Sequence, residues 1–156
     1  MSKLGQLAKI LCQLAYEFYS DQIAIIGVYG SVALNKQTDS SDLDMFAIVD
    51  ENAESKIDWK FIFQNNQVSF WSMDWKKAEQ IVRGKIKENP WVVAASIFLN
   101  NKLLYIRSEE DKQHFEGIRQ NIKISLEEHI RIILSEYENL KGYINGIQQA
   151  RNVMIS

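Results

Sequence analysis

A chain of 156 residues, 46% of them hydrophobic, makes one domain of ordinary size with room for a small appendage, and it is long enough to bury a proper core. A formal net charge of −2 argues against broad electrostatic binding to nucleic acid. The single cysteine, Cys12, excludes an internal disulfide and fits a reducing compartment, and no run approaches the ~20 apolar residues of a membrane span, so a cytoplasmic protein is expected.

Residues Lys3 to Ser20 place Leu4, Leu7, Ile10, Leu11, Leu14, Ala15 and Phe18 at three-four spacing. Lys9, Gln13 and Glu17 interrupt them at helical intervals, which predicts an amphipathic helix rather than a signal peptide. An apolar run from Ile23 to Tyr29 predicts a buried strand, broken by Gly30-Ser31. A polar segment follows, and the chain re-enters apolar sequence over Leu43 to Val49, a second strand. Ile57 to Phe63 and Val68 to Met73 predict two more strands, joined by a turn at Gln64 to Gln67. Asp74 predicts an N-cap for a helix to about Arg83, which Gly84 stops. Asn89-Pro90-Trp91 predicts the start of a short helix, with Trp91, Val92, Ala95, Ile97 and Phe98 as core. Lys102 to Arg107 reads as the last strand. From Glu109 the pattern is helical to the end, in two pieces, with Ser125 and Glu128 as a capping box for the second. There Ile130, Ile133, Leu134, Tyr137, Leu140, Ile144 and Ile147 form a long stripe that needs a cover, and homodimerisation through this tail supplies one.

The chemistry concentrates between Ile23 and Asp50. Asp42 and Asp44 stand two residues apart at the mouth of the second strand, so both carboxylates point to one face while Leu43 points to the other. Two such carboxylates repel unless a cation sits between them, and hard oxygen ligands on a rigid strand suit Mg²⁺. After the neighbouring strand, Gly30 lets backbone N–H groups approach a phosphate closely and Ser31 offers a hydroxyl donor. Phosphate donors beside a metal-holding acid pair point to phosphoryl or nucleotidyl transfer.

Gly30-Ser31, a polar loop, then Ser41-Asp42-Leu43-Asp44 leading into an apolar strand resembles the signature of the nucleotidyltransferase superfamily, whose fold is that of DNA polymerase beta. Spacing and surrounding text are most similar to the kanamycin- and lincosamide-type antibiotic nucleotidyltransferases, over Leu14 to Arg107 and more loosely over the tail. The resemblance implies an α+β (α/β) fold: a small mixed sheet flanked by helices over residues 1–107, then a short C-terminal helical region over 108–156, abbreviated or cut from a longer two-domain protein. It implies ATP or another nucleoside triphosphate bound with Mg²⁺ by Asp42 and Asp44. Gly30, Ser31 and Lys36 would hold the nucleotide, and the acceptor would be a hydroxyl of a small molecule or a protein. The basic residue expected shortly after Gly-Ser is shifted, since Leu34 stands there with Lys36 nearby.

The superfamily's third metal carboxylate falls here on Ser69, or on Phe70 if a residue is inserted, and neither can replace it. Asp58 and Asp74 are the substitutes at hand. In the aminoglycoside-modifying branch a glutamate of the helical region acts as general base, and Glu136 falls at the corresponding place. His114 and His129 lie on charged helical stretches and read as solvated. The competing expectation is a degenerate member that binds nucleotide or a protein partner without chemistry, as an antitoxin-like protein would.

Overall fold

The computed structural model describes residues 2–54, 56–82 and 95–155. The expectations placed on Arg83, Gly84, Asn89, Pro90, Trp91 and Val92 lie outside the described residues. Two compact units divide the chain, Met1–Ile122 and Lys123–Ser156.

In the first unit, helix α1 (Lys3–Tyr19) is capped by Ser2, whose Oγ accepts a hydrogen bond from the Gly5 N–H at 3.0 Å. Its buried stripe is Leu4, Leu7, Ala8, Leu11 and Ala15. Ile10, Leu14 and Phe18, counted in that stripe from spacing, are exposed, because the small residues Ala8 and Ala15 take the side that faces the sheet.

Strands β1 (Ile23–Tyr29), β2 (Leu43–Val49), β3 (Asp58–Phe63), β4 (Asn66–Asp74) and β5 (Asn101–Ile106) build one mixed sheet in the order β3-β4-β2-β1-β5. Only β2 and β4 run parallel. The near-continuous apolar text of β1 and β2 is explained by their central positions, where both faces are covered. The turn between β3 and β4 is tighter than expected. Gln64 and Asn65 both adopt positive φ, 47° and 69°, and pairing begins at Asn66. Asp74 caps helix α2 (Trp75–Val82) by accepting from the Lys77 N–H at 2.7 Å.

One face of the sheet packs on α1 through Ile26, Val28, Leu43, Met45, Ala47, Val68 and Phe70. The other carries Phe46, over which Phe115 stacks at 6.2 Å, with Phe98 against Phe115 at 5.0 Å. Gly27 makes room for the Phe46 ring, since a Cβ there would fall 2.7 Å from its edge. Arg107 closes the strand ends: its guanidinium grips both oxygens of Asp50 (2.8 and 2.9 Å) and reaches Asp111 at 2.9 Å. The Asp111 carboxyl is held below the usual carboxylate range, because hydrogen bonds from Arg107 and Ser108 outweigh the burial that opposes its charge.

The final element, helix α3 (Glu109–Ile155), is continuous. The break expected at Ser125 does not occur, since no Gly or Pro interrupts the run there and apolar spacing carries through from Phe115, Ile118 and Ile122. His114 is engaged rather than solvated. Its ring stacks on Trp75 at 4.0 Å, and Nε2 lies 2.8 Å from Glu79 Oε1. The side chain of His129 lies outside the described set.

The second unit, Lys123–Ser156, consists of the remainder of this helix, in which Ile130, Leu134, Tyr137, Leu140, Ile144 and Ile147 are exposed. Among the described residues no helix is long and apolar enough to cross a membrane.

Candidate functional site

The site is built where β1 ends and β2 begins. Gly30 takes φ +76°, a conformation that costs an L side chain and that turns the backbone sharply off the strand. The turn then tightens, with the Leu34 N–H donating to Gly30 O (3.3 Å) and the Lys36 N–H to Ser31 O (2.9 Å). A Cβ on Gly30 would lie 3.3 Å from Asp44 Oδ2, so the carboxylate rests against bare backbone. Gly30 and Asp44 are therefore brought together, as their spacing in sequence suggested.

Asp44 is half-buried and Asp42 is exposed. The Asp44 carboxyl is pushed above its ordinary value, first by desolvation and then by the charge of Asp42. The same environment reaches Tyr29, the residue paired with Asp44 on β1. Burial raises its phenol, the hydrogen bond that its oxygen accepts from Trp71 Nε1 (3.0 Å) opposes that, and Asp44 adds to the rise.

Sheet register decides what surrounds Asp44. On β4 its partner is Ser69, and the partner of Ser69 on β3 is Lys60. Tyr29, Asp44, Ser69 and Lys60 thus form one row across four strands on a single face. Ser69, not Phe70, occupies the strand position beside the acid. Asp58 pairs with Trp71, one row further on, with Trp71 and Phe46 between it and Asp44. Asp74 pairs with Val49, five residues along β4 from Ser69, and its Oδ1 is engaged as a helix cap. Neither Asp58 nor Asp74 completes the row. Among the described residues no group of three or more His, Cys, Asp or Glu side chains gathers as a metal site.

The loop that presents Asp42 is held from outside. Asn66 is buried, and its Nδ2 donates to Asp39 O and Ser41 O, both at 2.9 Å. Thr38 and Ser41 close the loop on itself, the Thr38 N–H donating to Ser41 Oγ at 2.7 Å. Sequence reasoning missed Asn66, Tyr29, Trp71 and Lys60. Only contacts between distant segments, strand register for Tyr29, Trp71 and Lys60 and the loop hydrogen bonds for Asn66, would have found them, and a single sequence displays neither. Lys36 is exposed beyond the turn. Glu136 is exposed in the second unit. A hollow of about 250 Å³ bordered by Ser2, Lys9, Val28, Val32 and Lys102 lies on the α1 face, which is the face turned away from Asp44.

A mixed five-stranded sheet with a Gly-Ser turn after one strand and an Asp-x-Asp pair opening the next defines a nucleotidyltransferase-type domain. Residues 13–110 match the family described as Polymerase beta, Nucleotidyltransferase, and the chain belongs to that family. Among solved structures it is similar to one described as a toxin-antitoxin with AMP-PNP, at 15% identity and a TM-score of 0.43, over 84% of this chain and 94% of that one. It is also similar to a nucleotidyltransferase-like protein from Exiguobacterium sibiricum 255-15, at 13% identity and a TM-score of 0.47, over 71% of this chain and 38% of that one. No curated protein matches the chain.

Proposed function

We propose that the protein transfers a nucleoside monophosphate from a nucleoside triphosphate, ATP or another, to a hydroxyl group, releasing pyrophosphate. The observation that carries this reading is the placement of Asp44 against the Gly30 backbone with Asp42 beside it. Two carboxylates whose charges oppose each other, one of them short of water, form a site that a divalent cation would relieve. The pair fits one Mg²⁺, and Ser69 does not fit the role of a ligand to a second. When bound, Mg²⁺ would neutralise charge on the triphosphate.

The chain's own residues do the rest. Backbone N–H groups at Gly30 and Ser31 and the Ser31 hydroxyl receive phosphate oxygens, and Lys36 lends a positive charge at the rim. Lys60, the strand partner of Ser69, offers an exposed, positively charged side chain on the side of the row where the third acid is missing. The acceptor oxygen attacks the α-phosphorus, the bond to pyrophosphate breaks, and the acceptor proton leaves to water or a carboxylate. Positioning and charge neutralisation account for most of the rate. Chemistry belongs to the core over residues 1–107, and assembly as a homodimer to the helical region over 108–156. The acceptor is a small molecule of the antibiotic type or a protein, met in the cytoplasm.

The pairing of Ser69 with Asp44 favours a second reading, a member that binds nucleotide or a protein partner without turnover. Labelled ATP incubated with the protein and a panel of antibiotics and proteins separates the two. Transfer of label supports the enzyme; nucleotide binding with no transfer to any acceptor supports the second reading.

A further inference from the structure

The second unit carries a pattern that the site does not use. Apolar residues stand at Leu126, Ile130, Ile133, Tyr137, Leu140, Ile144 and Ile147, with spacing that alternates four and three throughout. A free helix of 3.6 residues per turn drifts ~20° per heptad relative to such a repeat, so this spacing keeps one seam only in a helix wound around another. Helix α3 runs unbroken through all seven positions. Ile130 (46%), Leu140 (56%) and Ile147 (52%) are exposed along it.

The flanking charges identify the partner. With Ile130, Tyr137 and Ile144 at heptad position a, and Leu126, Ile133, Leu140 and Ile147 at d, Glu136 falls at g and Lys141 at the following e. Five residues apart on one helix, these two point in directions about 140° apart and do not pair with each other. In a parallel, in-register pair of helices, g of one chain faces the next e of the other. Glu136 then meets the partner's Lys141, twice by symmetry. The remaining flanking positions, Glu127 with Ile122, His129 with Leu134 and Tyr143 with Gln148, bring no like charges together. An antiparallel pairing over the same stretch would set Glu136 near its own copy. Isoleucine at two of the three a positions and leucine at two of the four d positions fit two strands, while Ile133 and Ile147 at d make a higher oligomer the competing outcome of the test. The tail therefore carries the complement of its own charge pattern.

We infer that residues 126–147 zip with the same segment of a second copy as a parallel, in-register two-stranded coiled coil. This surface is independent of the reading of Asp42 and Asp44.

Sedimentation equilibrium of the full chain tests it. The wild type should dimerise. Glu136→Lys and Lys141→Glu should each weaken the dimer, roughly tenfold, since each turns two attractions into repulsions. The double variant should return the wild-type dissociation constant. Ile144→Cys in a Cys12→Ser background should form a disulfide-linked dimer on mild oxidation, since a faces a. A wild type that stays monomeric, a double variant weaker than either single one, or an Ile144→Cys chain that fails to cross-link would each overturn the proposal.

Discussion

Asp44 on β2 stands beside Ser69 on β4, partners in the register of the sheet's one parallel pair. A serine hydroxyl there leaves the acid pair without a third carboxylate, and the cross-strand neighbour of Ser69 is the lysine at position 60. The row holds one acid, Asp44, and a base, Lys60, with Asp42 just before the strand, where a third acid at Ser69 would complete a two-cation site.

That row makes a gain-of-function substitution the natural test of the site's layout. Ser69→Glu adds a carboxylate on the face of Asp44, opposite Lys60, at a position that is not buried. With Mg²⁺ and nucleotide, the variant should bind an additional ion and transfer faster. A tenfold gain corresponds to ~1.4 kcal/mol of barrier. Metal counting by calorimetry and single-turnover rates check both parts. A folded variant with neither change would show that a carboxylate at this position is not what limits the site.

Asp44 makes one contribution to the pH dependence of metal-free stability. Its folded carboxyl titrates above its ordinary value, so the folded state holds the proton more tightly than the unfolded chain. The contribution of Asp44 to stability is then fully present below ~pH 4, where unfolded carboxyls are protonated, and is lost as pH rises through the folded value. In EDTA at pH 7, Asp44→Asn should raise the thermal midpoint, and the gain should vanish at about pH 3.5. A midpoint difference that does not change with pH would contradict this.

Asn66 joins the β3–β4 turn to the loop before Asp42 through two hydrogen bonds to Asp39 and Ser41. Asn66→Ala should cost about 2 kcal/mol of stability, since it strands two carbonyls. It should also weaken Mg²⁺–nucleotide binding, because Asp42 loses its anchored loop. Urea unfolding and nucleotide titration measure the two effects.

Arg107 ties the ends of β1 and β2 to the start of α3 through Asp21, Asp50 and Asp111. Arg107→Met should destabilise the first unit by about 2–3 kcal/mol at neutral pH, chiefly by leaving the Asp111 charge supported by Ser108 and His114 without the guanidinium. The penalty should shrink below ~pH 4, where the freed carboxyl takes up a proton. Urea melts at pH 7 and pH 3.5 give the comparison.

Local signals were legible wherever they resided in one segment. The runs at Ile23–Tyr29 and Leu43–Val49 read as strands because both faces of each are buried, and Asp74 read as a cap because capping spans a single turn. The Gly30 turn and the acid pair were visible for the same reason. Pairing across segments was not. Lys60 became a neighbour of Ser69 only through the β3–β4 register, and Asn66 became a loop anchor only because a buried amide there meets two carbonyls more than twenty residues away in sequence. The stripe on α1 was misjudged at Ile10, Leu14 and Phe18 because spacing cannot tell which edge of an apolar arc meets the sheet. The break expected at Ser125 rested on a capping pattern that a continuing apolar run overrode.

Isothermal titration of Mg²⁺–ATP into the wild type and into Asp44→Asn tests the central claim most directly. The proposed role of Asp44 requires binding to the wild type that depends on Mg²⁺, and its loss by at least tenfold in the variant, with circular dichroism unchanged. Equal affinity for Mg²⁺–ATP in the two proteins would contradict it and remove the acid pair from the site.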